Sequence, residues 1–544
     1  MNLSATSAVA VVVNGVLLAA LAAAVLLLSG LQPLDSARGV PPVERVAWAA
    51  AASAIWLGLV WRGWQRARGL RLRSVPASVD VAATHMLVVH ASQTGYAEQL
   101  AWQTATSLRD AGVPAQVAAL GALDTATLRA ASRLLLVAST TGEGDAPDAA
   151  LAFMRDVMPL QPSLTQTRYG VLALGDRNYA NFCAFGRNLD QWLRRQGAEA
   201  WFDRIDVDNG DAEALRRWQW QLGRLAGTGD MPEWQAPCYR PWRLVERRLL
   251  NADCHGHACF SLRLCAADAE DADWEAGDIA EIGPRHAPAQ VEAFLQQTGF
   301  RGTQEVATER GSETLAMVLV RSILPDPAMS VGLDVHSFVA NLEPLPHREY
   351  SIASLPGDGA IDLLVRRMDW PDGRLGLGSG WLTRHAEIGS SIDLRIRRNP
   401  GFRAPADAQG LILVGNGTGI AGLRALLKAR ILAGNNDNWL LFGERHGTHD
   451  FHYGDDFGRW LAEGWLRRMD LAFSREGTER DYVQDRLRAA AGELRAWIAE
   501  GASIRVCGSQ QGMARDVHAT LVDILGETVV ETLLADGRYR RDVY

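Results

Sequence analysis

The chain has 544 residues, 48% of them hydrophobic and 22% charged, with a formal net charge of -8. At about 150 residues per domain this length calls for three or four units, and the composition excludes wholesale disorder. The acidic balance excludes general nucleic-acid binding and suits docking of a basic partner, while six cysteines are too few for a disulfide scaffold and point to a reducing compartment.

Residues 8–31 are almost wholly apolar, broken only by Asn14, Gly15, Ser29 and Gly30, and match the length of a bilayer-crossing helix. A second run, 46–64, is edged by Trp48, Trp61 and Trp64. Arg62, Arg66, Arg68, Arg71 and Arg73 follow with no acid among them, which by the positive-inside rule puts everything downstream in the cytoplasm. The expectation is a transmembrane helical hairpin within residues 1–75, a multi-pass protein of a bacterial inner or plasma membrane, and lipid as one partner. A cleaved signal peptide is the alternative; it is disfavoured because residues 2–13 carry no Lys or Arg and a second apolar run follows. Neither span contains histidine, which argues against a bis-histidine haem there.

From Met86 the pattern alternates buried strand, glycine-containing turn and helix. Strand 86–91 feeds Ser92-Gln93-Thr94-Gly95-Tyr96-Ala97 at a helix start, an anion nest built without Lys or Arg. Strand 134–138 leads into Ser139-Thr140-Thr141-Gly142, and strand 171–174 into Leu174-Gly175-Asp176, Asn178, Tyr179, Asn181, Phe182 and Cys183. Loops at the carboxyl ends of parallel strands converge on one crevice, so a doubly wound parallel sheet with a phosphate-bearing ligand is predicted over 82–228. Glu143, Asp145, Asp148, Asp206, Asp208 and Asp211 are expected to rim that ligand and steer a basic acceptor.

A Trp/Pro-rich linker, 229–243, precedes short alternating strands that predict an antiparallel barrel over 244–405, with a reduced helical insert at about 284–346. Cys254-His255-Gly256-His257-Ala258-Cys259 lacks the usual zinc spacing and is read as a hairpin turn, so no metal is expected. In Arg348-Glu349-Tyr350-Ser351 the arginine can bridge a pyrophosphate, the tyrosine can lie against a ring, and the serine can reach its edge. Gly376-Leu377-Gly378-Ser379 then opens a helix that offers N–H groups to the same pyrophosphate. Strand 411–414 feeds Gly417-Thr418-Gly419, a glycine-rich turn expected in a Rossmann-like domain over 406–544. Ser474, Arg475 and Arg480 supply a hydroxyl and cations suited to a 2′-phosphate, favouring NADPH over NADH.

Residues 84–544 resemble the NADPH-dependent diflavin reductases, through the three loops, the Arg-Glu-Tyr-Ser run, the glycine turns and the Arg541-Asp542-Val543-Tyr544 terminus. Asp470–Arg475 and Tyr482–Asp485 are similar to the flavoprotein component of sulfite reductase, and the apolar N-terminus to anchored NADPH–haemoprotein reductases. The resemblance implies FMN in the first crevice, with Tyr179 stacked on it, and FAD at Arg348, Tyr350, Ser351, Leu364, Val365 and residues 376–379. It implies NADPH at residues 417–419, Ser474, Arg475, Arg480, Tyr482, Gln484 and Asp516, hydride chemistry at Ser351, Cys507 and Asp542, and a terminal Tyr544 that covers the flavin. Electrons then pass from NADPH through FAD and FMN to a one-electron acceptor protein, a haemoprotein or sirohaem protein, with domain motion about 226–243. Alternatives are the sulfite reductase flavoprotein itself, a ferric-chelate reductase, and a non-catalytic flavin-binding scaffold.

Overall fold

The computed structural model describes residues 85–544 except Glu143, Asn178, 229–230, Glu233, 235–237, 253–255, 268–272, 309–310, Val331, 406–407, 477–479 and the Gln511 side chain. The apolar segments 8–31 and 46–64 therefore lie outside the described residues. Among the described residues no helix is long and apolar enough to cross a membrane. Residues 85–544 belong to one compact unit.

The first sheet comprises β1 (Met86–Ala91), β2 (Ala115–Ala119), β3 (Arg133–Ser139), β4 (Arg168–Gly175), β5 (Glu199–Ala200) and β6 (Ile205–Asp208). Its order is β2-β1-β3-β4-β5, with β6 also on β4, and every pairing is parallel. The central strands are unbroken apolar runs because helices cover both faces. Leu87, Val89 and Leu136 pack with Leu189 and Trp192 on one side; Met86, Val88 and Leu135 pack with Leu100 and Trp218 on the other. Chain direction through the sheet reverses between β1 and β3, so the crevice opens where their loops part.

Next come β7 (Arg240–Leu249), β8 (Cys259–Ala266), β9 (Ile279–Gly283), β10 (Glu305–Thr308), β11 (Gly311–Thr314), β12 (Arg348–Ser351), β13 (Ile361–Arg366) and β14 (Ser391–Arg397). Six of them form an antiparallel barrel in the order β12-β9-β14-β7-β8-β13, closed by a bridge from Ile352 to Leu363. β7 and β8 are the hairpin expected around residues 250–259. Between β9 and β12 a small helical insert holds the β10–β11 hairpin over its own core of Val291, Phe294, Leu315, Leu319 and Phe338.

The last sheet contains β15 (Leu411–Asn416), β16 (Asn438–Glu444), β17 (Arg468–Phe473), β18 (Ser503–Gly508) and β19 (Tyr539–Val543), all parallel in the order β17-β16-β15-β18-β19. Arg505, 1% exposed, fastens this sheet to the end of the barrel by donating to the carbonyls of Phe402 and Arg403. The linker between the first sheet and the barrel is pinned at both ends. Trp234 donates from its backbone N–H to Gln219 and from Nε1 to Ser107, each at 2.9 Å, while Tyr239 stacks on His347 at 4.2 Å.

Candidate active site

In the first crevice, Gly95 adopts φ 86° to turn the chain from β1 into the helix Tyr96–Asp110, leaving first-turn N–H groups facing the loop. The hydroxyls of Ser92 and Thr140 are buried without a hydrogen-bond partner. Orphaned hydroxyls beside a helix N-terminus match the acceptor oxygens of a phosphate, so the residues present fit FMN. Thr141 closes the second loop on the Asp145 carbonyl, and Gly142 lies beside it with Gln510 against it. In the third loop Tyr179 is 43% exposed, available as a stacking face, and Arg177 sits 5.2 Å over the Phe182 ring. Leu174 and Gly175 end β4, and the Leu174 carbonyl accepts from Thr140 N–H at 2.9 Å. Asp176 and Asn181 stand in the same loop, whereas Asn178 lies outside the described residues.

Two expectations for this crevice need correction. Cys183 can offer a ligand only its backbone: its side chain is fully buried, with Sγ 3.3 Å from the Ala173 carbonyl, and burial pushes its thiol up to about 12. The acidic rim is also smaller than predicted. Asp148 is 4% exposed and paired with Arg541; Asp206 pairs with Arg204 at 2.6 Å, Asp208 with Arg177 at 3.5 Å, and Asp211 caps the helix Ala212–Ala226. Charge in a sequence does not reveal whether a cation from elsewhere in the fold already answers it.

On the barrel, Arg348, Tyr350 and Ser351 lie along β12, opposite Ile282, Ala280 and Ile279 of β9. The turn at Gly376–Ser379 is drawn against this strand, and a Cβ on Gly378 would stand 2.7 Å from Arg348 Cγ and 2.8 Å from Tyr350 Oη. Arginine, tyrosine and a helix start thus share one cleft, as the pyrophosphate and ring of FAD require. Burial raises the Tyr350 phenol, which stays protonated as a donor. Leu364 and Val365 are 3% and 1% exposed with their side chains in the cores, which leaves only their backbone to face a ligand.

The last sheet supplies the third element. Cys507 is in register with Asp542 on β19 and with Gly415 on β15, so sheet geometry alone brings thiol and carboxylate together, beside the switch point between β15 and β18. Ser351 reaches in from the barrel: its Oγ donates to Asp542 Oδ2 at 3.1 Å and lies 4.0 Å from Cys507 Sγ, which is itself 3.9 Å from Asp542 Oδ2. Burial lifts the Asp542 carboxyl from 3.8 to about 6, partly offset by the Ser351 hydrogen bond. Burial, with the Asp542 charge behind it, holds Cys507 as a neutral thiol. Tyr544 closes the site, its hydroxyl 3.1 Å from Thr418 Oγ1 and its main chain bonded to Gly508 and Gln510. A Cβ on Gly419 would lie 2.2 Å from the Cys507 carbonyl, so the turn at 417–419 packs against β18 too closely for any side chain. Ser474 is held by the Glu444 carbonyl, Arg475 and Arg480 project into solvent, and Gln484 Nε2 donates to Asp516 at 3.3 Å beside exposed Tyr482. A hydroxyl, two exposed cations and this polar pair fit a 2′-phosphate and adenine.

Sequence reasoning missed Arg397 and Arg541. Each crosses from the carboxyl-terminal half of the chain to a loop of the first crevice: Arg397 Nη1 donates to the Thr94 carbonyl at 2.6 Å, and Arg541 Nε donates to Asp148 Oδ2 at 3.0 Å. An arginine on a strand end gives no sequence signal of a partner 303 or 393 positions away.

Comparison with known families bears on these sites. Residues 88–219 match the family described as flavodoxin, and residues 413–519 match the oxidoreductase NAD-binding domain. With the barrel between them and the Ser351–Cys507–Asp542 cluster that joins it to the second, these matches make the chain an NADPH-dependent diflavin oxidoreductase that uses FMN and FAD. Over most of its length it is similar to the sulfite reductase [NADPH] flavoprotein alpha-component of several bacteria. Identity is 30% with that of Yersinia enterocolitica (86% of this chain, 91% of the relative) and 28% with that of Neisseria meningitidis serogroup C (93% and 98%). It is also 28% with that of Bacillus subtilis (88% and 93%). The chain belongs to the family of sulfite reductase flavoprotein alpha-components.

These relatives correct the membrane localisation expected from the N-terminus. They are named as sulfite reductase components, not as anchored haemoprotein reductases, and among the described residues no helix can span a bilayer. The expectation rested on composition in 1–75, outside the described residues, where apolar length alone does not distinguish a span from other apolar segments.

Proposed function

We propose that this chain delivers electrons from NADPH to a separate haemoprotein that reduces sulfite. The observation that carries the reading is similarity along 86–94% of the chain to proteins named for that reaction. When bound, FAD takes up the electron pair of a hydride and FMN passes electrons on singly. In this reading residues 92–97, 139–142 and 174–183 hold FMN, while Arg348, Tyr350, Ser351, the 376–379 turn and the backbone of Leu364 and Val365 hold FAD. Residues 417–419, Ser474, Arg475, Arg480, Tyr482, Gln484 and Asp516 hold NADPH, and Tyr544 must swing aside before nicotinamide can approach.

The chain's own contribution to hydride transfer is electrostatic. Nicotinamide becomes cationic as it loses hydride, and the Asp542 carboxylate, oriented by Ser351, is a fixed anion placed to favour that change. Cys507 stays protonated, so it fills the site without adding a second anion. The unit boundaries proposed are 82–228 for the FMN half, 244–405 for the FAD barrel with its insert, and 406–544 for the NADPH half. Motion is proposed about residues 226–243, the linker that Trp234 and Tyr239 fasten to its two neighbours.

The test mixes the purified chain with a sirohaem-containing sulfite reductase haemoprotein and follows NADPH consumption and sulfide together. Sulfide production coupled to NADPH is the expected result. Cytochrome c reduction at full rate with no sulfide would mean that the acceptor is another protein.

A further inference from the structure

We propose that the FMN site is completed across the seam between the two halves of the molecule, by Arg397 and Arg541, so that docking of the halves and retention of FMN reinforce one another. The inference rests on the assignment of FMN to the first crevice.

The phosphate loop lacks a cation of its own. Residues 92–97 and 139–145 contain no Lys or Arg, and His90 at the end of β1 is held neutral because burial lowers its pKa to about 4. The loop also has a buried anion beside it. Asp148 is 4% exposed, accepts from Gln93 Nε2 at 3.1 Å, and fixes Gln93 further through its own N–H on Gln93 Oε1 at 2.8 Å. A phosphate placed here meets a carboxylate of like sign in a poorly hydrated setting, which repels it strongly unless a cation intervenes.

Both cations come from the other half. Arg541 pairs with Asp148, and its carbonyl accepts from Gln93 Nε2 at 2.9 Å, so one residue both neutralises the carboxylate and holds the loop. Arg397 has a 2% exposed side chain that donates to the Thr94 carbonyl at 2.6 Å and to Thr94 Oγ1 at 3.0 Å, while its other arm pairs with Glu349. Its Nε has no hydrogen-bond partner and lies 3.8 Å from Glu281 Oε2 as an ion pair. The backbone behind Arg397 covers the loop, with the Arg398 carbonyl 2.8 Å from the point where a Cβ on Gly95 would sit. A third cross-seam pair, Arg155–Glu531 at 3.2 Å, is a third exposed and touches neither loop. It serves as a control for docking without the phosphate site.

Linkage follows from these contacts. If the docked form carries both cations and the undocked form carries neither, FMN binds the docked form more tightly, and by the same factor FMN favours docking. Arg541 also adjoins Asp542, so displacement of the terminal strand is transmitted to the FMN loop.

The experiment strips FMN from the full chain, retaining FAD, and titrates FMN back by quenching of its fluorescence. Arg397→Ala and Arg541→Ala are expected to raise the FMN Kd at least ten-fold and to leave FAD content unchanged, while Arg155→Ala stays within two-fold of the parent. Adding Asp148→Asn to Arg541→Ala removes the uncompensated carboxylate and should restore most of the lost affinity. That repair is not expected of a residue that merely supports the fold. FMN affinities within two-fold of the parent in both arginine variants, or loss of FMN and FAD together without repair by Asp148→Asn, overturn the inference. A parent chain that takes up no FMN overturns instead the assignment on which the inference rests.

Discussion

Replacement of Asp542 by asparagine separates the chemistry of the hydride site from its stability, because the structure assigns the two effects opposite signs. The carboxyl is 5% exposed, and burial lifts its pKa from 3.8 to about 6. The folded chain therefore holds this proton more tightly than the unfolded one. Its favourable contribution to folding is fully present below pH 3.8 and is lost as the pH climbs to about 6. At 1.36 kcal/mol per pH unit, the ionised carboxylate costs the folded state about 3 kcal/mol at pH 7. Asp542→Asn removes that cost, keeps an acceptor for the Ser351 hydroxyl, and should raise the melting temperature by several degrees at pH 7. Hydride transfer should move the other way. Loss of a fixed charge aimed at a developing ion costs roughly 10²-fold in rate. In stopped-flow mixing with NADPH, the native chain should slow as the pH falls through about 6, where Asp542 takes up its proton, whereas the variant should be slow and flat across that range. A variant that transfers hydride at the native rate, or one that melts below the parent at pH 7, would refute the account of Asp542 as a destabilising but functional anion.

Three further perturbations probe the remaining sites. Arg475→Ala and Arg480→Ala each remove an exposed cation from the 2′-phosphate region and should raise KM for NADPH by about 10-fold or more while hardly altering KM for NADH, which steady-state kinetics with both coenzymes will decide. Gly419→Ala places a methyl group 2.2 Å from the Cys507 carbonyl, so the turn must shift; NADPH binding should be lost with both flavins retained, as read by calorimetric titration and flavin content. Arg155 and Glu531 face each other across the seam at 3.2 Å, and cysteines at both positions joined by a bismaleimide should leave flavin reduction by NADPH intact yet slow the reduction of cytochrome c. Unchanged cytochrome c turnover in the crosslinked chain would rule out the motion proposed about residues 226–243.

Much of the architecture is legible in the sequence because its signals are local. Unbroken apolar runs such as 134–138 and 411–414 report strands covered on both faces, and each is followed by the turn chemistry its ligand needs. The Ser351, Cys507 and Asp542 trio is reached from sequence only through resemblance, since those residues are as much as 191 positions apart; parallel register between β18 and β19 sets two of them side by side and the barrel delivers the third.

The sequence by itself determined the strands, the phosphate-binding turns and the candidate residues, since periodicity and turn chemistry act within a few residues. Only the tertiary structure decided how charges are paired. Asp148 reads as solvated rim until the fold places Arg541 against it, and Arg397 carries no local mark of its role at Thr94. A carboxylate's effect depends on the distance to its counter-charge and on exclusion of water, and both are properties of the packed molecule.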